Sequence, residues 1–247
     1  MGVTELLLIG SVVFLIAGSV KGVVGIGLPT AAISMLTLFI DPRTAIAVGL
    51  GPVVVSNAWQ IWTMGDIRGT FKRYWLFALA LGTSVFLTVT VSADVSEQVI
   101  FLAIGISIVT FSVLHLNFAM PPMPDRYDRA AQVGFGTVAG ILGGLSGVWI
   151  APIIMYLSAR NLTKDEFVRA SGMLLFIGSV PLVTAYVQQG FLTQQIAGVT
   201  LVLVIPTLIG FALGARLRQR ISNEKFRKVL LYVFLLLGLN LLRRGLF

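Results

Sequence analysis

Two glycine-rich stretches contain the residues of this chain with the clearest potential for chemistry. Residues 17–25 read AGSVKGVVG and residues 139–147 read AGILGGLSG, and a proline follows each stretch, at Pro29 and at Pro152. Glycines and a proline interrupt a helix, and the helix that starts next has N–H groups without intrahelical partners. Such N–H groups bind anions, helped by the positive end of the helix dipole. The two stretches therefore predict an anion site built from broken helices.

The predicted lining of this site comes from both stretches. Glycine lets the backbone approach a ligand, and the hydroxyl of Ser146 can donate a hydrogen bond. The lining residues are Gly22, Gly25, Gly27 and Pro29 in the first stretch and Gly143, Gly144, Ser146, Gly147 and Pro152 in the second. The alternative is that these glycines serve close helix packing or kinking.

Lys21 lies inside the first glycine-rich stretch. A lysine within a membrane span indicates a functional role, here as a cation that faces an anionic substrate. However, Lys21 follows Glu5 by only 16 residues, and this length of helix spans about 24 Å of a core about 30 Å thick. The side chain can therefore instead extend to the cytoplasmic interface. Both interpretations stay open at this stage.

Four further residues are candidates for substrate contacts. Asn57 interrupts an apolar run, where a polar side chain joins helices or contacts a ligand. Arg169 and Ser171 open a long apolar run, and the arginine is either a residue of the membrane end or a clamp for the substrate. Trp149 lies in the second glycine-rich break, where it lines the substrate path or packs in the core.

The composition requires a bilayer around these residues. Hydrophobic residues make up 57% of the 247 residues and charged residues 11%, and the mean hydropathy is +0.95. A soluble domain has about 25% charged residues, so a water-soluble enzyme is excluded. The chain has no cysteine and one histidine, which excludes thiolate and histidine-cluster metal sites. The net charge of +8 comes from basic residues beside apolar segments, which argues against nucleic-acid binding and for membrane topology.

Apolar runs define the membrane segments. Seven long runs cover residues 6–20, 44–64, 75–91, 99–116, 167–187, 196–215 and 229–242. Two shorter runs, 28–40 and 150–158, each follow a glycine-rich stretch and predict half-helices or re-entrant arms. The first run lacks a basic leader and a clear cleavage site, so we expect a retained membrane helix rather than a signal peptide.

The chain is predicted to be an internal duplication. The two stretches align, and each precedes a short arm and three long runs. We expect a first repeat at residues 1–119, a proline-rich linker at 120–129 and a second repeat at 130–247. The hairpin returns to the side of the membrane on which it starts, and three full spans follow it in each half. Each half therefore ends on the opposite side, and the second half is expected to be inverted. The predicted fold is an all-α integral membrane protein with an inverted repeat, each half a broken hairpin plus three transmembrane helices.

Charge predicts the orientation of this fold. The segments 65–73, 116–129, 160–169 and 216–228 share one side and hold 14 basic and six acidic residues. Cytoplasmic loops carry the excess of basic residues, so this side should face the cytoplasm and both termini should lie outside.

A serine hydrolase is the alternative from another functional class. Residues 144–147 (GLSG) match the G-x-S-G sequence around the nucleophile of rhomboid-type intramembrane proteases. That serine needs a base within hydrogen-bond reach, and the chain offers His115 or Lys21. A channel would need a continuous polar pore, for which few polar residues are available. We expect a transporter without enzymatic activity and without a cofactor.

The duplicated pattern resembles that of a known family. A-G-x-x-x-G-x-x-G followed by a proline occurs at residues 17–29 and 139–152, with basic loops on one side of a chain of this length. In these features the chain resembles the sulfite exporter TauE/SafE family over nearly its whole length. The resemblance implies a multi-pass inner-membrane carrier whose substrate is a compact oxyanion such as sulfite or a sulfonate. We expect this substrate to be moved outward by alternating access. Its partners would be this small anion and the lipid bilayer, with the oligomeric state left open. A permease for a non-sulfur organic anion is the alternative within this class.

Overall fold

The structure is a computed structural model that describes residues 2–117, 121–160, 162–217 and 223–247. Every regular element in these ranges is helical. The first half contains α1 (Val3–Val24), α2 (Leu28–Leu36), α3 (Pro42–Met64), α4 (Ile67–Val91) and α5 (Glu97–Asn117). The second half contains α6 (Asp128–Ser146), α7 (Ile150–Ser158), α8 (Lys164–Gln188), α9 (Gln194–Val202), α10 (Val204–Leu217) and α11 (Asn223–Leu246). A short 3₁₀ turn, Asp125–Tyr127, precedes α6.

The predicted membrane segments are confirmed. Seven helical stretches in the described ranges are long and apolar enough to cross a membrane, and they correspond to the seven long runs. In a bilayer every backbone polar group needs a partner within the protein, which is why such runs form helices. The two short runs form the nine-residue helices α2 and α7. The predicted boundary between the repeats, at residues 119 and 120, lies outside the described residues.

The short helices lie in the core of the molecule. Eight of the nine residues of α2 are buried, as are seven of the nine residues of α7. Nine helical residues extend about 14 Å, less than half of a hydrocarbon core of about 30 Å. The long helices therefore surround α2 and α7, which are too short to cross a membrane by themselves.

The predicted span 196–215 is confirmed as the stretch Gln194–Leu217, although the helix is interrupted at one residue that the sequence analysis did not predict. The run 196–215 forms α9 and α10, which are separated at Leu203. Pro206 has no N–H to donate to the carbonyl of Val202, so the helical ladder is interrupted there. The break is a consequence of the proline.

A threonine of the second half compensates for a proline inside a helix of the first half. Pro52 lies inside α3 and leaves the carbonyl of Val48 without its intrahelical donor. The hydroxyl of Thr200 in α9 donates to that carbonyl at 2.7 Å. The hydroxyl oxygen of Thr200 also accepts the N–H of Gly51 at 2.8 Å. Thr200 thus donates to the carbonyl that the proline leaves free, accepts the N–H of Gly51 and joins α9 to α3.

Candidate functional site

The first hairpin turns at two glycines in the left-handed conformation. Helix α1 ends at Gly25, with φ 87°, and its N–H donates to the carbonyl of Lys21 at 2.7 Å. Gly27 has φ 97° and precedes α2, whose second residue is the buried Pro29. Only glycine adopts such φ values without strain. A Cβ added at Gly25 would meet no atom within 4 Å, so the backbone there faces open space.

The second hairpin turns in the same way but is packed tightly. Helix α6 ends at Gly147, with φ 66°, whose N–H donates to the carbonyl of Gly143 at 2.8 Å. A Cβ added at Gly147 would lie 2.8 Å from Ile33 of α2 and 3.1 Å from Ile46 of α3. Pro152, in the first turn of α7, is buried behind it. The tip of this hairpin therefore contacts the first half of the chain.

Lys21 is buried inside the protein. Its side chain is 1% exposed. The amine donates to Oδ1 of Asn57 at 2.5 Å and to Oγ of Ser56 at 3.1 Å, both on α3. No carboxylate in the described ranges forms an ion pair with it. The side chain thus points between α1 and α3 rather than extending to the membrane face. Lys21, Ser56 and Asn57 are called the lysine site below.

Polar groups continue from the lysine site along α3 and α8. The Nδ2 atom of Asn57 is buried without a partner, and so is Oε1 of Gln60, one turn further along α3. The Nε2 atom of Gln60 donates to the carbonyl of Val168 at 2.9 Å, and the buried Ser171 donates to the same carbonyl at 3.1 Å. The free Nδ2 of Asn57 is therefore a donor available to an anion that approaches Lys21, whereas the free Oε1 of Gln60 is an acceptor.

Three more of the predicted lining glycines pack closely against other parts of the protein. A Cβ at Gly22 would lie 2.3 Å from the carbonyl oxygen of Phe211 in α10. A Cβ at Gly144 would lie 2.6 Å from Thr88 in α4. Gly143 packs against Trp149, with 3.0 Å from an added Cβ to the indole. At these three positions the contacts fit the packing explanation, because the absent side chain makes room for protein.

Trp149 takes the place in the second half that Lys21 takes in the first. The spacing of 122 residues that aligns Gly25 with Gly147 also aligns the start of α3 with that of α8, Lys21 with Gly143 and Ser56 with Gly178. The indole is 1% exposed and lies against both Gly143 and Gly178. At these aligned positions the first half therefore holds the lysine amine and the second half holds an indole. Sequence analysis missed Ser56, although it adjoins Asn57 on the same helix.

Arg169 lies away from the lysine site, near the start of α8. It forms an ion pair with Asp66, which caps the start of α4, at 3.3 Å. Asp66 belongs to the first half and Arg169 to the second. The predicted candidate therefore joins the two halves at one end of the helices.

Ser146 is held by its own hairpin. Its hydroxyl donates to the carbonyl of Leu142 at 2.6 Å and accepts the N–H of Val148 at 3.0 Å. Its oxygen lies 3.3 Å from Oγ of Ser107 in α5. Lys21 donates to other residues, and the side chain of His115 lies outside the described part of the structure. The described contacts therefore do not join Ser146 to a base.

Comparison with known proteins identifies the family. No curated protein and no solved structure matches the chain. The family model described as "Sulfite exporter TauE/SafE" matches residues 11–241, which include both hairpin turns and at least part of every spanning helix. The chain is therefore a membrane transporter that belongs to the sulfite exporter TauE/SafE family.

Proposed function

We propose that this protein exports a small sulfur oxyanion or sulfonate, which binds beside Lys21. The single observation that carries this proposal is the buried amine with neutral partners alone. A buried ammonium is costly unless an opposite charge compensates it, and a bound anion supplies that charge. The choice of sulfur compounds and the outward direction rest on family membership.

The first hairpin suits an anion next to Lys21. The open backbone at Gly25 lies four residues from Lys21, at the turn before the N-terminus of α2. The N-terminus of α2 adds the positive end of a helix dipole to the charge of the lysine. Asn57 supplies a further donor, because its Nδ2 atom is free. These groups favour a compact acceptor of hydrogen bonds.

Flux measurements with purified protein in proteoliposomes test the substrate class. The panel contains sulfite, sulfate, thiosulfate, sulfoacetate, isethionate and taurine, with lactate and acetate as sulfur-free anions. We expect saturable flux of at least one sulfur anion. Flux of lactate or acetate alone would favour the organic-anion alternative. Intact vesicles that carry none of these compounds would overturn the proposal.

We further propose alternating access by an inverted repeat in the inner membrane, with basic loops in the cytoplasm and both termini outside. Support comes from the pairing of equivalent helices. Gly105 of α5 packs against Leu242 of α11, whereas Gly245 packs against Leu102, so these two helices run antiparallel. Equivalent helices must run in opposite directions in an inverted repeat, and rocking of one half against the other then alternates access.

A disulfide between the halves tests this movement. The hydroxyls of Ser107 in α5 and Ser146 in the second hairpin are 3.3 Å apart, and the chain has no native cysteine. We expect the Ser107→Cys/Ser146→Cys protein to lose most of its flux on oxidation, because the bond holds the hairpin to α5. A reductant should restore the flux, and each single variant should not respond to oxidation. Full flux in the fully crosslinked protein would contradict alternating access at this interface.

A further inference from the structure

A small polar cleft lies where the N-termini of α4 and α8 meet, at the predicted cytoplasmic end. Its volume is about 150 Å³, and its lining includes Asp66, Arg73, Tyr74, Glu166 and Arg169. Pockets for drug-sized ligands have volumes of about 300 to 1,000 Å³, so this cleft suits a small ion. Residues from both halves of the chain line it.

Two donors in this polar cleft have no acceptor. The side chain of Tyr74 is 3% exposed, and its hydroxyl is buried without a partner. The Nε atom of Arg169 is also buried without a partner. An arginine Nε–H is only a donor, and a tyrosine hydroxyl can donate as well. Unsatisfied buried donors are costly, so the missing ligand is an acceptor.

The two carboxylates of the polar cleft already accept hydrogen bonds at the N-termini of helices. Oδ1 of Asp66 accepts the N–H of Gly69 at 3.2 Å, in the first turn of α4. Oε2 of Glu166 accepts the N–H and the hydroxyl of Thr163, at 3.0 and 2.9 Å, in the capping box of α8.

The ion pairs of these carboxylates leave the arginines able to accept another anion. Asp66 pairs with Arg169 at 3.3 Å and Glu166 with Arg73 at 3.5 Å. These four side chains are between 25% and 59% exposed, and exposed ion pairs contribute little stability. A mobile anion can therefore compete for both guanidinium groups. The N-termini of two helices add favourable dipoles.

The backbone of Arg73 and Tyr74 is fixed by a residue from α6. Tyr74 has non-helical φ and ψ, −114° and 21°, so α4 kinks there. The side-chain amide of Gln132 accepts the N–H of Phe77 at 3.3 Å and donates to the carbonyl of Arg73 at 3.2 Å. It thereby replaces the interrupted hydrogen bond of the helix. Gln132 thus stabilises the kink, which places Arg73 and Tyr74 in the lining of the polar cleft.

We propose that the polar cleft is a second anion site, through which the transported oxyanion reaches the lysine site. Val168, the neighbour of Arg169 on α8, accepts the hydrogen bond of Gln60. Gln60 and then Asn57 lead along α3 to Lys21, and the unsatisfied Nδ2 of Asn57 can donate a hydrogen bond to the anion there. This proposal rests on the proposed function, and it adds a site outside the two hairpins.

Binding of sulfite to purified protein, measured by isothermal titration calorimetry, tests the second site. The Lys21→Gln variant removes the cation of the lysine site, and we expect weaker sulfite binding to remain. Adding Tyr74→Phe should raise the remaining dissociation constant by about tenfold to a hundredfold, the value of one hydrogen bond to a charged group. The matched control is Tyr127→Phe, a half-exposed tyrosine outside the cleft, which should leave the dissociation constant unchanged.

Several outcomes would overturn the second site. These are no sulfite binding by Lys21→Gln, equal binding by the two tyrosine variants, or unchanged flux of Tyr74→Phe at low sulfite concentration. Tyr74→Phe removes only one unpaired oxygen, so its melting temperature checks that folding is preserved. A protein that binds sulfite in a Tyr74-dependent manner but carries no anion would overturn the proposed function instead. A protein that carries sulfite with Tyr74-independent binding would overturn only the cleft proposal.

Discussion

Replacing Lys21 by glutamine should weaken binding of the transported anion by about tenfold to a hundredfold. This range corresponds to the loss of one hydrogen bond to a charged group, about 1.5 to 3 kcal/mol. The glutamine amide can still donate to Asn57, which accepts from Lys21 at 2.5 Å in the native protein. The melting temperature should stay the same or rise, since the variant no longer buries a charge without a counter-charge. Substrate titration and thermal unfolding of the same preparation measure both effects.

Lys72→Gln is the matched control for this substitution. Lys72 lies on α4 and is exposed, in contrast to the buried Lys21. Both substitutions lower the net charge of the chain by one, so a general charge effect would affect both variants equally. Only Lys21→Gln should weaken binding. Equal affinities of Lys21→Gln and the native protein would contradict a role of the amine in substrate binding.

Replacing Gly214 by alanine should destabilise the fold by about 3 kcal/mol or more, the upper range for overpacking. A Cβ at Gly214 would lie 2.1 Å from the carbonyl oxygen of Ser19 in α1. Both contacting groups belong to helix backbones, so no side chain can move aside. The variant must separate α1 from α10, and α1 is the helix that positions Lys21. Thermal unfolding in detergent and the yield of monodisperse protein measure the loss.

Gly198→Ala is the matched control for the glycine substitution. Gly198 lies in α9, and a Cβ added there would meet nothing within 4 Å. Alanine is favoured over glycine in a helix by up to about 1 kcal/mol, so this variant should be as stable as the native protein or more stable. If Gly214→Ala melts at the same temperature as Gly198→Ala, the close contact between α1 and α10 is not needed for stability.

The membrane fold could be predicted from the sequence because it depends on local properties. A run of apolar residues in a bilayer must form a helix, since the backbone has no other partner there. The seven long runs and the two short ones therefore predicted the helices correctly. The hairpin turns at Gly25 and Gly147 also follow from residue type, because both adopt positive φ values. The break at Leu203 was missed, although Pro206 was its local signal.

The candidate site could be predicted only in part. Lys21 and Asn57 were selected separately by their polarity within apolar runs, and the structure brings them into contact. The glycines could not be sorted in the same way, because glycine serves a ligand and a neighbouring helix equally well. Gly22 contacts α10 and Gly25 faces open space, although the two lie three residues apart.

The sequence by itself determined which segments are helices and where the two hairpins turn, because hydropathy, glycine and proline act within a few residues. Only the tertiary structure decided which way the buried side chains point. Lys21 meets α3 from 36 residues away, and Trp149 lies at the equivalent place in the second half. The polar cleft likewise needs Tyr74 and Arg169, which lie far apart in the chain. Such contacts depend on how helices pack, and their packing is set by side chains that are distant in sequence.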